Sequence, residues 1–60
     1  MMMTTRDVMR YLNVPKSSID YWARIGELPY YQYGKERHFN KNEIERWIKS
    51  KRRNGKYIQG

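Results

Sequence analysis

Between Lys16 and Arg24 the chain carries six side chains able to exchange charge or hydrogen bonds with a polyanion: Lys16, Ser17, Ser18, Asp20, Tyr21 and Arg24. Their chemistry is recognition rather than bond making. Hydroxyls donate and accept, an arginine pairs bidentately with guanine or holds a phosphate, and a carboxylate accepts from cytosine while repelling phosphate. Lys16, near a helix start, opposes the helix dipole, a poor choice for stability and a sensible one beside a phosphate. Catalysis has no comparable set. His38 is the single histidine and there is no cysteine. A metal site therefore lacks ligands, and a general base lacks a nucleophile beside it. No catalytic residue, metal, other cofactor or small-molecule ligand is expected.

The element that must hold these side chains is Ser17 to Pro29, SSIDYWARIGELP. Ile19, Trp22 and Ala23 recur at i, i+3, i+4, the spacing of one helix face, and the polar residues fall on the others. Gly26 supplies the left-handed residue that stops the helix, and Glu27-Leu28-Pro29 leads out extended. A helix of about ten residues with serines, a tyrosine and an arginine outward suits a DNA major groove. Its start lies between two alternatives. Pro15 opens it or precedes its first turn, while Ser17 with Asp20 three later makes a candidate capping box.

The flanking elements follow from similar signals. Met1 to Met3 reads as an irregular start. Thr4-Thr5-Arg6-Asp7 matches a capping box, with Met3 and Val8 at the hydrophobic-staple positions. This predicts a first helix from Thr5 to Leu12, its apolar edge Val8, Leu12 and Tyr11, with Arg6, Arg10 and Met9 facing out. Asn13-Val14-Pro15 is the turn, since Asn tolerates a left-handed helix end. Two short helices, a tight turn and a glycine stop make a helix-turn-helix. Aromatic residues around Gly34-Lys35-Glu36 then predict a two-stranded β-hairpin over Leu28 to Phe39, a wing that must pack on the helices. Asn40 with Glu43 three later caps a final helix from Lys41 to Lys51, its face Ile44, Trp47 and Ile48. The predicted core is Val8, Leu12, Val14, Ile19, Trp22, Leu28, Phe39, Ile44, Trp47 and Ile48, with Ala23 and Tyr31 at its margin.

The fold class is therefore mainly α with a short β-hairpin, ordered helix, turn, helix, hairpin, helix. Residues 1–51 form one domain and residues 52–60 a loose basic tail. A chain of 60 residues buries only ~60% of its unfolded surface, and without cysteine it has no disulfide to help. Its stability must come from aromatic packing, with two Trp, six Tyr and one Phe available. Mean hydropathy is −1.13, yet the apolar residues are periodic, which argues for a folded unit.

Thirteen Lys and Arg against six Asp and Glu leave a net charge of +7. That excess favours a polyanion, nucleic acid before membrane surface. No apolar run is long enough to span a membrane and no signal-peptide core is present. Together with the absence of cysteine, this predicts a cytoplasmic, nucleoid-associated protein without membrane partners. Tyr30, Tyr31 and Tyr33 read as hairpin and core packing; as base-stacking platforms they would have to lie exposed on a sheet face.

The run TTRDVMRYLNVPKSSIDYWARIGELP, the hairpin around YGKERHF, and NKNEIERWI resemble the excisionase-type winged helix-turn-helix domain, a short relative of the MerR-like DNA-binding domains. The resemblance covers Thr4 to Ile48. It implies that the second helix enters the major groove and that the wing touches the backbone or minor groove. Ser17, Ser18, Tyr21 and Arg24 match DNA-facing positions, and Lys35 and Arg37 match the wing tip, with His38 beside them. Thr5 and Arg6 of the first helix and Arg52 and Arg53 of the tail complete the expected phosphate contacts. Asp20 stands where many relatives carry an aromatic or basic residue, Glu36 where they often carry a basic one, and Pro15 where serine is common.

The resemblance implies a sequence-specific binder of double-stranded DNA. Recombination directionality factors of this family bend attachment-site DNA for an integrase; others are small transcription regulators acting at a promoter. One domain reads few base pairs, so an integrase partner or copies on adjacent sites are expected. No coiled-coil segment follows Lys51, which argues against a full-length MerR-type sensor. A reading from a different class is a protein-interaction module whose basic face meets an acidic protein.

Overall fold

The computed structural model describes residues 1–52. The order is β1 (Met2–Thr4), α1 (Thr5–Leu12), α2 (Lys16–Arg24), β2 (Tyr31–Tyr33), β3 (Glu36–Asn40) and α3 (Lys41–Arg52). Three helices and a small antiparallel sheet make a winged helix-turn-helix fold, with the β2–β3 hairpin as its wing.

Each helix end has a local cause. The Thr4 hydroxyl accepts from the Asp7 N–H at 3.1 Å, and the Asp7 carboxylate accepts from the Thr4 N–H at 3.0 Å. That reciprocal box starts α1. Asn13 ends it in the left-handed conformation at φ 59°. After α2, Gly26 takes φ +81°. Its N–H donates to Ala23 and that of Glu27 to Trp22, the Schellman pair that satisfies the last helix carbonyls. At α3, the Asn40 side chain accepts from the N–H groups of Asn42 and Glu43. Gly34 turns the hairpin at φ +60°, with Lys35 at negative φ, the sign pattern of a type II′ turn.

Of the two starts left open for α2, the structure takes the one in which Pro15 precedes the first turn, and the Ser17–Asp20 capping box does not form. Helix α2 begins at Lys16 with Pro15 as its cap, and no side chain caps it. Ser17 lies inside the first turn, and Asp20 takes Lys16 and Arg37 as partners instead. Nor is Met1 to Met3 irregular. Met3 pairs with Phe39 and Thr4 with His38, so β3 is the centre of a three-stranded sheet ordered β1-β3-β2. The staple explains the strand: Met3 turns into the core beside Val8, and its neighbours must alternate outward.

The core is Val8, Ile19, Leu28, Phe39 and Ile44, all fully buried, with Met3, Ala23 and Trp47 around them. Leu12, Val14, Trp22 and Ile48 pack against this cluster half-buried, less enclosed than the helical spacing predicted. Met9 joins them instead of facing out. Tyr31 does not border the core; it is exposed. Strand parity explains this, because Phe39 and Met3 point inward and Tyr31, paired with His38, stands on the opposite face. Its hydroxyl donates to Glu43 at 2.9 Å, tying the wing to α3. Among the described residues no helix is long and apolar enough to cross a membrane.

Candidate nucleic-acid interface

Helix α2 divides its side chains cleanly. Ile19 and Ala23 are buried against the core. Lys16, Ser17, Tyr21 and Arg24 are exposed, and Ser18 and Asp20 are half-buried. The Arg24 guanidinium sits 5.5 Å from the centroid of the Tyr21 ring, a cation–π contact that restrains a long side chain at the helix surface.

Beside α2, three elements converge on an open notch. Thr4, Thr5 and Arg6 line it from the start of α1, Lys16 and Asp20 from α2, and Lys35, Glu36 and Arg37 from the wing. Four cations thus face two carboxylates in one concavity, a field that draws in an anion. The same place receives the start of α1, where N–H groups lack helical partners.

Of the residues expected to touch DNA, Thr5, Arg6, Lys16, Asp20, Lys35 and Arg37 are brought together at the notch. Ser17, Ser18, Tyr21 and Arg24 lie along the adjoining helix. His38 stands apart on the outer sheet face, its ring 4.7 Å from that of Tyr33 and its Nε2 3.4 Å from Glu36. The Arg52 side chain and Arg53, with the rest of the expected tail, lie outside the described residues.

Asp20 and Arg37 are engaged with each other. Arg37 Nη1 donates to Asp20 Oδ1 at 3.1 Å, and Lys16 Nζ donates to the second oxygen at 2.8 Å. The Arg37 guanidinium also lies 4.9 Å from the centroid of Tyr30. Two residues of this neighbourhood were missed as contributors from the sequence. The spacing of Thr4 and Asp7 signals only a cap, although an N-cap at a concave surface also lines that surface. Tyr30 was read as packing, and nothing in its local spacing indicates a guanidinium partner from β3.

A family model of helix-turn-helix domains matches residues 2–52, well over half of the chain.

The chain belongs to this helix-turn-helix domain family.

No curated protein and no solved structure matches the chain significantly. Membership assigns DNA binding to this helix-turn-helix domain. In such domains a helix presents side chains to base edges while neighbouring elements grip phosphate. The hairpin behind α2 makes this one winged. Among the described residues no group of three or more His, Cys, Asp or Glu could hold a metal ion.

Proposed function

We propose that this helix-turn-helix protein binds a specific double-stranded DNA site as an excisionase-type recombination directionality factor, bending attachment-site DNA for an integrase. Helix α2 enters the major groove. Ser17, Ser18, Tyr21 and Arg24 meet base edges and adjacent phosphates, while Lys16, Arg6, Thr5 and Lys35 grip the backbone at the notch. One observation carries this reading: the buried side of α2 is apolar, and its polar side adjoins a notch lined by four cations and two carboxylates. The excisionase role is supported by the resemblance over Thr4 to Ile48, which spans caps, turn, helix exit and wing in order.

The domain comprises residues 1–51, and the basic residues beyond it add phosphate contacts without sequence preference. A single copy buries too little surface to bind tightly at physiological salt. Copies on adjacent sites, or an integrase bound alongside, supply the rest. Bending costs a few kcal/mol, offset by the contacts that the bend permits. The protein acts at the nucleoid, in the cytoplasm.

The test is fluorescence anisotropy against tiled DNA fragments from around its own gene, with scrambled controls, at two salt concentrations. Tight binding to one fragment that survives the higher salt, with that fragment at an attachment site, supports the proposal. A preferred fragment at a promoter makes the protein a transcription regulator. Weak binding to every fragment, lost with salt, removes site specificity from this chain.

A further inference from the structure

Helix α2 and the wing reach DNA only if they are held at a set angle, yet they belong to different parts of the fold. Helix α2 packs mainly on α1 and, through Trp22, on Trp47 of α3, whereas β3 packs on β1, β2, α1 and α3. Arg37 crosses this division. It stands on the inward side of β3 with Phe39, its side chain 28% exposed, and reaches Asp20 on α2 at 3.1 Å. The Tyr30 ring lies against its guanidinium at 4.9 Å, and that ring packs on Phe39 with centroids 6.5 Å apart. The planar group therefore has one ring beside it and one carboxylate ahead of it, which restricts both its tilt and its reach.

Asp20 is equally committed. Its two oxygens accept from two different cations, Lys16 on the same helix and Arg37 on the wing. A carboxylate so engaged is oriented toward its two cations, and its charge is balanced where DNA phosphate would otherwise be repelled. As a source of stability this half-exposed pair is worth little. Its value is geometric: it ties the polar side of α2 directly to the wing strand β3.

We infer that the Asp20–Arg37 pair is the joint that sets the wing against α2, making both of them positioning residues for DNA specificity rather than DNA contacts. The joint fixes the separation between the base pairs read by α2 and the phosphates gripped at the wing. The inference rests on the DNA-binding reading above. Loosening the joint leaves the helix contacts in place and frees the wing, so the protein keeps its bases and loses its preference for where the neighbouring phosphates lie.

The experiment uses the full chain on its preferred DNA fragment, with hydroxyl-radical footprinting and anisotropy of wild type, Asp20→Asn, Arg37→Lys and the double variant. Melting curves confirm that each is folded. Asp20→Asn keeps the side-chain volume and provides the reading if an Arg37 variant does not fold. The expected result is loss of the wing-side protection with the α2-side protection retained. Affinity should fall about tenfold, and the double variant should be no weaker than either single one, the signature of residues acting as one unit. Folded variants that keep wild-type protection on both sides overturn the inference alone. So does an additive loss equal on specific and scrambled DNA, which makes the two residues separate phosphate contacts or general charge terms. A wild-type chain with no preferred fragment overturns the DNA reading itself and the inference with it.

Discussion

Trp22 of α2 and Trp47 of α3 meet with ring centroids 5.0 Å apart and planes inclined at 54°. The Trp47 Nε1–H donates to Glu27 at 3.2 Å, and Lys51 pairs with the same carboxylate. The exit of α2 and the last helix are thus closed on each other by one aromatic pair and one shared acid. Trp47 is 8% exposed and belongs to the core cluster, whereas Trp22 packs against that cluster half-buried.

Trp47→Ala should therefore cost about 3–5 kcal/mol, enough to unfold a domain of this size under ordinary conditions. Trp22→Ala should cost less, since part of that ring already faces water. Urea denaturation followed by far-UV circular dichroism measures both. Equal costs for the two variants would show that the aromatic pair, rather than depth of burial, carries the energy.

Acid should unfold the protein through its caps and ion pairs. The Thr4 backbone N–H holds the Asp7 carboxyl below its ordinary range, and Lys51 with Trp47 does the same for Glu27. A depressed folded pKa gives stability that is present above the ordinary carboxylate value of about 4 and is lost as pH falls through the lower folded value. Thermal melts between pH 7 and pH 2 should show this decline. Asp7→Asn should lower the melting temperature at neutral pH and flatten the acid limb.

At high pH the opposite sign applies to two tyrosines. Hydrogen bonds to Glu43 and Glu45 raise the pKa of Tyr31 and Tyr11. The stability from these bonds is present below the ordinary phenol value of about 10 and is lost as pH rises through the raised folded values. Tyr31→Phe should shrink the alkaline loss of stability in melts above pH 9. An unchanged alkaline limb would mean that the Tyr31 bond contributes nothing between wing and α3.

Gly26→Ala should destabilise by about 1–2 kcal/mol, the cost of a left-handed residue with a Cβ. No atom lies within 4 Å of the Cβ that alanine would add, and the backbone stands at φ +81°. The penalty is therefore conformational rather than steric. Gly26→Asn should recover part of it, because asparagine visits that region more readily. Denaturation midpoints of the two variants give the comparison.

Arg24→Ala should weaken binding to the specific DNA site by about 1–3 kcal/mol, while Lys35→Ala should weaken specific and scrambled DNA alike and reduce the salt slope by about 1. Titrations across a salt series separate the two. Equal losses for Arg24→Ala on both DNAs would reassign it to a phosphate.

The boundaries were legible because their causes are short-range. A capping box acts over three residues, so Thr4 and Asp7 announce α1 by themselves. Asn13, Gly26 and Gly34 announce left-handed turns because few residues tolerate them. The exposed side of α2 followed from the period of Ile19, Trp22 and Ala23. The depth of burial did not. Trp22 and Ile48 have core spacing yet lie at the rim, since spacing gives the direction of a side chain and not how much structure stands in front of it.

The sequence alone determined the order of the three helices and the hairpin, the helix stops, the wing turn and the helix face turned outward, all set by chemistry within a few positions. The tertiary structure alone decided that Met2–Thr4 pairs with β3, that Tyr31 leaves the core for Glu43, and that Asp20 and Arg37, 17 positions apart, hold each other. Those contacts join segments whose local patterns carry no record of one another. A strand of three residues has no periodicity to recognise, and an aspartate with one face to water looks the same in sequence whether it meets a base, a phosphate's counter-charge or an arginine from the wing. Only the packing of α2 and β3 around one small core brings that arginine within reach.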